Sequence, residues 1–149
     1  MPFRMTYALS PSARQWRATL ALDLFNGTQE RELSRKTLDV MLECLFKINV
    51  LYLQAHPEAP WLYQSGVTYM EEPPGQEDWQ DIPTTLKFGI ADCEDLAAWR
   101  AAELNVRQGI AAKPVWRSFP RKDGSTLYHI LVEYPDGRTE DPSRILGMK

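Results

Sequence analysis

A nucleophilic thiol needs a base to take its proton and a third group to hold that base in the right tautomer. Three residues of these types occur in chain order: Cys93 in FGIADCEDLAAWRAAEL (residues 88–104), His129 in TLYHILVEY (126–134) and Asp141 in RTEDPS (138–143). Cys93 follows an aspartate at what reads as a helix start, where the partial positive charge of the helix end acts on the thiol. The chain's other histidine, His56, stands beside Pro57 at a helix end, so His129 is the base by elimination. Asp141 on its own reads equally as a turn residue before Pro142. Glu94 and Asp95 read as first-turn acids that suit the helix dipole, with charge that opposes thiolate formation. Cys44, inside a helical stripe, reads as a small buried hydrophobe. Arg100 falls on an otherwise apolar helix face, where an ion pair is the available reading.

These residues need elements to bring them together. Asp92 caps a helix running to about Gln108, with Gly109 as its stop and Asp95 three residues on as a capping box with a shorter acid. Next come KPVWRSF, a loop with Asp123-Gly124, TLYHILVEY, the turn PDG and RTED, which read as an antiparallel hairpin and a third strand. In the middle strand Leu127, His129, Leu131 and Glu133 share one face, and Tyr128, Ile130, Val132 and Tyr134 the other. A helix packing Leu96, Ala97, Ala101 and Leu104 across this sheet would bring its first turn to the face carrying His129. A turn centred near Asp136-Gly137 places Asp141 beside Leu131 and Val132, so reaching His129 takes a diagonal contact or a bulge.

Upstream, SPSARQWRATLALDLFNG (10–27) reads as a helix of about four turns, with Ser10 as cap, Pro11 in the first position and Trp16, Leu20 and Leu24 on one face. A longer helix is expected from about Gln29 to Ala55, with Leu33, Val40, Met41, Cys44, Leu45, Ile48, Leu51 and Tyr52 as its apolar stripe. Prolines and glycines break residues 56–85 into turns and short extended pieces, too aromatic for a disordered linker. The expected architecture is α+β: N-terminal helices, then a central helix with the cysteine at its start, packed on an antiparallel sheet.

With 149 residues, 44% of them apolar, the chain has the material for one domain with its own core. Its 17 basic and 20 acidic residues are scattered and sum to a net charge of -3, which offers no basic stripe for nucleic acid. No apolar run reaches signal-peptide or membrane-span length, so a cytoplasmic protein without a membrane partner is expected. Two cysteines without a CxxC suggest neither a disulfide framework nor a zinc site, and no EF-hand loop is present; no metal or cofactor is expected.

GIADCEDLAAWRAAELNVRQGIAAKPVW followed by LYHILVEYPDGRTEDPSRILGM resembles the core of the transglutaminase-like family within the papain-like cysteine-enzyme superfamily. The likeness lies in Asp92-Cys93-Glu94-Asp95, in His129 within YHILVEY, and in Asp141-Pro142-Ser143; it covers about residues 77–148, with residues 1–60 as a preceding helical part. Ala91 stands two residues before the cysteine, where the family commonly has glycine. The resemblance implies that Cys93 attacks an amide carbonyl to give a thioester, that His129 moves the proton and that Asp141 orients the imidazole. It also implies an oxyanion site made by the Cys93 N–H and an upstream side chain, for which Trp79 and Gln80 are candidates. The expected activity is hydrolysis or acyl transfer on peptide or glutamine amide bonds of a protein or peptide substrate. Hydrolysis is preferred because small stand-alone bacterial and phage-type members lack the added domains of crosslinking enzymes. The alternative is an inactive module that keeps the fold for binding or assembly, for instance in a phage particle.

Overall fold

The computed structural model describes residues 4–8, 17–21, 30–73, 78–124 and 126–149. The architecture is α+β. The chain divides into two compact units, Met1–Leu38 and Asp39–Lys149, and every candidate site residue lies in the second.

In the first unit β1 (Arg4–Ala8) pairs antiparallel with β2 (Arg17–Ala21), with Thr6 opposite Thr19. This corrects the helix expected over residues 10–27: Arg17–Ala21 is extended, because main-chain pairing with a second strand outweighs a local helical pattern. Ser10, Pro11, Trp16, Leu24 and Gly27 lie outside the described residues. Helix α1 (Glu30–Ala55) has close to the expected bounds.

The inward face of α1 differs from the expected stripe. Leu42, Leu45, Asn49 and Leu53 are buried, whereas Val40, Cys44, Ile48 and Leu51 are exposed. Cys44 is therefore not the core residue its neighbours suggested. The inward face carries a polar residue, which disguises it in the sequence: Asn49 Oδ1 accepts a hydrogen bond from the N–H of Ile82 at 3.0 Å. That donor is the first residue of α2 (Ile82–Phe88), a helix capped by Asp81, whose carboxylate accepts from Thr84 N–H, and ended by Gly89 at φ 73°. Before α2 come a 3-10 turn (Leu62–Gln64) and β3 (Thr68–Tyr69); β4 (Ile90–Ala91) pairs parallel with β3 and leads into the central helix.

That helix, α3 (Cys93–Gln108), is buried on two sides. Leu96, Trp99 and Ala102 pack with Leu53, Leu62, Ile82 and Ala91, while Ala97, Ala101 and Leu104 pack with Ala112 and Val132. Gly109, at φ 65°, ends it as the sequence implies. The alanines let the helix lie close on the antiparallel sheet of β5 (Lys113–Pro120), β6 (Thr126–Glu133) and β7 (Thr139–Glu140), in which Arg117 pairs with His129 and Val132 with Glu140. A last helix, α4 (Pro142–Ile145), starts directly after β7, with Asp141 as its cap. No described helix is long and apolar enough to cross a membrane.

Candidate active site

The first turn of α3 is held by carboxylates that accept from main-chain donors. Asp92 Oδ1 takes the Cys93 N–H at 2.6 Å, and Oδ2 takes the N–H of Glu72 at 3.3 Å. Asp95 completes the capping box by accepting from Asp92 N–H at 3.2 Å, and its other oxygen accepts from Gln80 N–H at 2.7 Å. One expectation changes as a result: the Cys93 N–H, expected to meet an oxyanion, is already engaged by Asp92. Glu94 and Asp95 lie in the first turn as expected, and both are buried, 4% and 1% exposed.

Of the two oxyanion candidates, Gln80 is tied to the helix start through its main chain, and its side-chain Oε1 is buried without a hydrogen-bond partner among the described residues. Gln80 also lines a hollow of about 150 Å³ beside the helix start, with Met70, Glu71, Glu72, Ile90 and Asp92. Trp79 is half-buried next to it in the chain. A larger hollow, about 570 Å³ and lined by Leu53, Trp61, Val106 and Arg107, sits near the far end of α3 and contains none of the three triad candidates.

His129 is 5% exposed, and its Nε2 lies 3.0 Å from Asp141 Oδ2. Because Val132 pairs with Glu140, Asp141 would face Leu131, so the bond to His129 is the diagonal contact that the count required. Asp141 has a second role, since Oδ1 accepts from Arg144 N–H at 3.2 Å and so caps α4. With Nε2 held by the carboxylate, Nδ1 is the imidazole nitrogen available for a proton transfer.

The sulfur reaches the sheet differently from the expected route. The sheet-facing alanines of α3 rest on Ile130, Val132 and Tyr134, the face opposite to that of His129. Cys93 instead meets the strand at its edge, where the main-chain N–H of Ile130, one residue past His129, is near enough to favour the thiolate. Tyr134 N–H donates to Arg138 O across the β6–β7 turn, so by two-residue alternation the Ile130 N–H points to the same edge. The ladder to β7 covers only Val132 and Glu133, which leaves this donor for the thiol. The sulfur also donates to Glu94 Oε2 at 3.4 Å.

Burial first, then the neighbouring carboxylates of Glu94 and Asp92, push the Cys93 thiol well above its ordinary range, against the pull of the Ile130 N–H. Burial, with Asp95 and Asp92 adding to it, raises Glu94 to about 8. Burial likewise raises Asp95 to about 7, against the pull of the Gln80 and Asp92 donors. Ligating atoms of Asp92, Cys93 and Glu94 lie within 4.8 Å of one another, the one grouping among the described residues close enough for a metal. It sits at the positively polarised end of a helix, which disfavours a cation, and we assign no ion to it.

Arg100, unexplained by the sequence beyond a possible ion pair, has two partners. Its Nε lies 2.6 Å from Glu140 Oε1 and its Nη1 lies 3.1 Å from Glu103 Oε1, with the guanidinium over the Tyr63 ring. The hydroxyls of Tyr63 and Tyr134 also donate to Glu140. This cluster fixes the residue just before Asp141, and sequence reading had only an isolated Arg on an apolar face to suggest it.

No family model and no solved structure matches the chain. Among curated proteins, glycogen phosphorylase of Saccharomyces cerevisiae is 29% identical over 80 residues, which make up 49% of this chain and 9% of that protein. With so small a share of that relative spanned, none of its activity is carried over to this chain.

Proposed function

We propose that the chain is a thiol-dependent enzyme acting on an amide carbonyl of a protein or peptide through Cys93, His129 and Asp141, with water as the preferred acceptor. The observation that carries this reading is the His129–Asp141 bond at 3.0 Å, with the Ile130 N–H on the next residue of the same strand near enough to the sulfur to favour its thiolate. His129 Nδ1 takes the thiol proton and the sulfur adds to the carbonyl carbon. Collapse of the tetrahedral adduct breaks the C–N bond, and the amine leaves with the proton from His129. Water then adds to the thioester with His129 as base, releasing the acid and restoring the thiol. Asp141 holds the imidazole in one tautomer and stabilises its charged form.

The test is the pH dependence of Cys93 alkylation by iodoacetamide, read by intact mass and peptide mapping. Labelling below pH 7 that slows in His129→Ala is expected; a rate indifferent to His129 overturns the reading. A second reading, a non-catalytic binding module on the same fold, is favoured by one observation: the thiol is surrounded by acids that keep it protonated, and it donates to Glu94. Unchanged labelling in His129→Ala would select that alternative.

A further inference from the structure

Glu94 is the residue at this site for which the triad has no use. It is 4% exposed, its Oε2 lies 3.4 Å from the sulfur, and its Oε1 is buried with no hydrogen-bond partner among the described residues. A buried carboxylate without a cation is expensive to keep ionised. Among the described residues no Lys, Arg or His forms an ion pair with Glu94, Asp92 or Asp95.

We propose that Glu94 acts on the sulfur directly. Its protonated carboxyl donates a hydrogen bond to the Cys93 thiolate once His129 has taken the thiol proton; its ionised form instead accepts from the thiol and holds it protonated. Besides the proton now on His129, the Ile130 N–H is the main-chain donor that favours the thiolate, and a thiolate shielded from water is better stabilised by a further donor. In this step the S–H bond breaks and an N–H bond forms as the thiol proton moves to His129 Nδ1, while the Glu94 O–H bond stays intact and turns to the sulfur.

The groups around Glu94 set when it ionises. On its own turn Asp95 and Asp92 favour the neutral acid while the hydrogen bond from the Cys93 thiol opposes them, and Glu72 adds its charge to Asp95 from the segment after β3. The charged groups on the elements packed against α3 are engaged elsewhere: His129 with Asp141, Arg144 with Asp141, and Lys113 and Arg117 with Glu133. Asp81 caps α2, and Lys87 lies over the Phe88 ring. With a pKa of about 8, Glu94 carries its proton at neutral pH and loses it on the alkaline side.

The inference rests on the proposed function only in naming His129 as the base, and the test separates the two. Cys93 alkylation is measured at pH 6.5 and 9.0 in wild type, Glu94→Gln, Glu94→Ala and His129→Ala. At pH 6.5 glutamine, which keeps a donor, should label at close to the wild-type rate, and alanine about tenfold more slowly. At pH 9.0 glutamine, which cannot ionise, should label about tenfold faster than wild type. Equal rates for glutamine and alanine at pH 6.5, or a glutamine variant that follows wild type at pH 9.0, overturn the proposal. Loss of the His129→Ala effect overturns the triad instead, with the glutamine–alanine difference still reporting on Glu94. Should alanine prevent folding, carbon-13 NMR of the Glu94 carboxyl in the intact wild type decides. A midpoint above pH 7 supports the proposal, and one in the ordinary carboxyl range of about 4 to 5 overturns it.

Discussion

The two ends of the candidate site treat buried charge in opposite ways. At the corner formed by β7 and α4 the acids have cationic or hydroxyl partners: Glu140 meets Arg100 and two tyrosine hydroxyls, and Asp141 meets His129 and Arg144. At the start of α3 the acids have, among the described residues, no cation: their partners are each other, main-chain N–H groups, a thiol and, for Asp92, the Tyr69 hydroxyl. The first arrangement fixes a geometry. The second stores protons beside the sulfur, a setting in which small environmental changes alter the thiol's state.

Removing the cation from the partnered corner should have the largest effect. Arg100→Leu leaves Glu140 and Glu103 without their cation in a largely buried site and is expected to destabilise the fold by about 3 kcal/mol, read by chemical denaturation. Arg100→Lys, which keeps the charge but not the fork, should lose less. If Arg100→Leu is neutral, the corner is held by packing and the contrast between the two ends fails.

The next effect is a dependence of stability on pH, with opposite sign at the two ends. Glu94 and Asp95 have folded pKa values, about 8 and about 7, above their ordinary ones. Between roughly pH 4.5 and 7 the folded chain keeps two protons that the unfolded chain has lost, so stability falls as pH rises, by up to about 1.4 kcal/mol per pH unit for each group. Glu103, pushed up by burial, adds in the same direction. Burial pushes Glu140 up as well, but Arg100 and the tyrosine hydroxyls hold it below the ordinary value, so its contribution is present above pH 4.5 and is lost as pH falls through the folded pKa. Stability is expected to peak near pH 5, and the decline toward pH 8 should be shallower in Glu94→Gln. A curve that rises from pH 5 to pH 8 would mean that the first-turn acids are ionised throughout.

Much of the partnered corner can be read from sequence because it is built from local rules. Period-two alternation puts His129 on a defined face, the PDG turn fixes the register by counting, and that count requires the diagonal reach to Asp141 that the structure shows. The limits of α3 follow from Asp92 and Gly109 in the same way. What could not be read depends on partners far away in the chain. Arg100 lies 40 residues from Glu140, and residues 17–21 are a strand only because residues 4–8 pair with them. The two-residue pairing of β3 with β4 is too short to leave a periodic trace. Glu94 and Asp95 can be read from sequence as helix-start acids, but nothing local reveals that the turn they occupy is buried, with Gln80 N–H on the Asp95 carboxylate. The face of α3 was misjudged for a related reason. Leu96 belongs to the core shared with Trp99, so Ala97, Ala101 and Leu104 meet the sheet, on the side away from His129.

The smaller predictions test whether the main-chain bonds or the charges hold the helix start. Asp81→Ala removes an N-cap at α2, where no buried charge is involved, and should lower stability by about 1 kcal/mol. Asp92→Ala removes a cap of the same kind but also a negative charge beside Glu94 and Cys93. The lost bonds and the relieved repulsion oppose each other, so its effect on stability should be smaller than that of Asp81→Ala, and Cys93 alkylation should become faster at fixed pH. A loss as large as that at Asp81, with alkylation unchanged, would mean that the acids around the sulfur do not repel one another enough to matter. Cys44→Ser gives the baseline: the residue is exposed on the outward face of α1, so the change should stay within about 0.5 kcal/mol while removing one of the two alkylation sites. Any larger loss would mean that this face of α1 is covered in solution, and the same variant isolates the Cys93 signal on which the other comparisons depend.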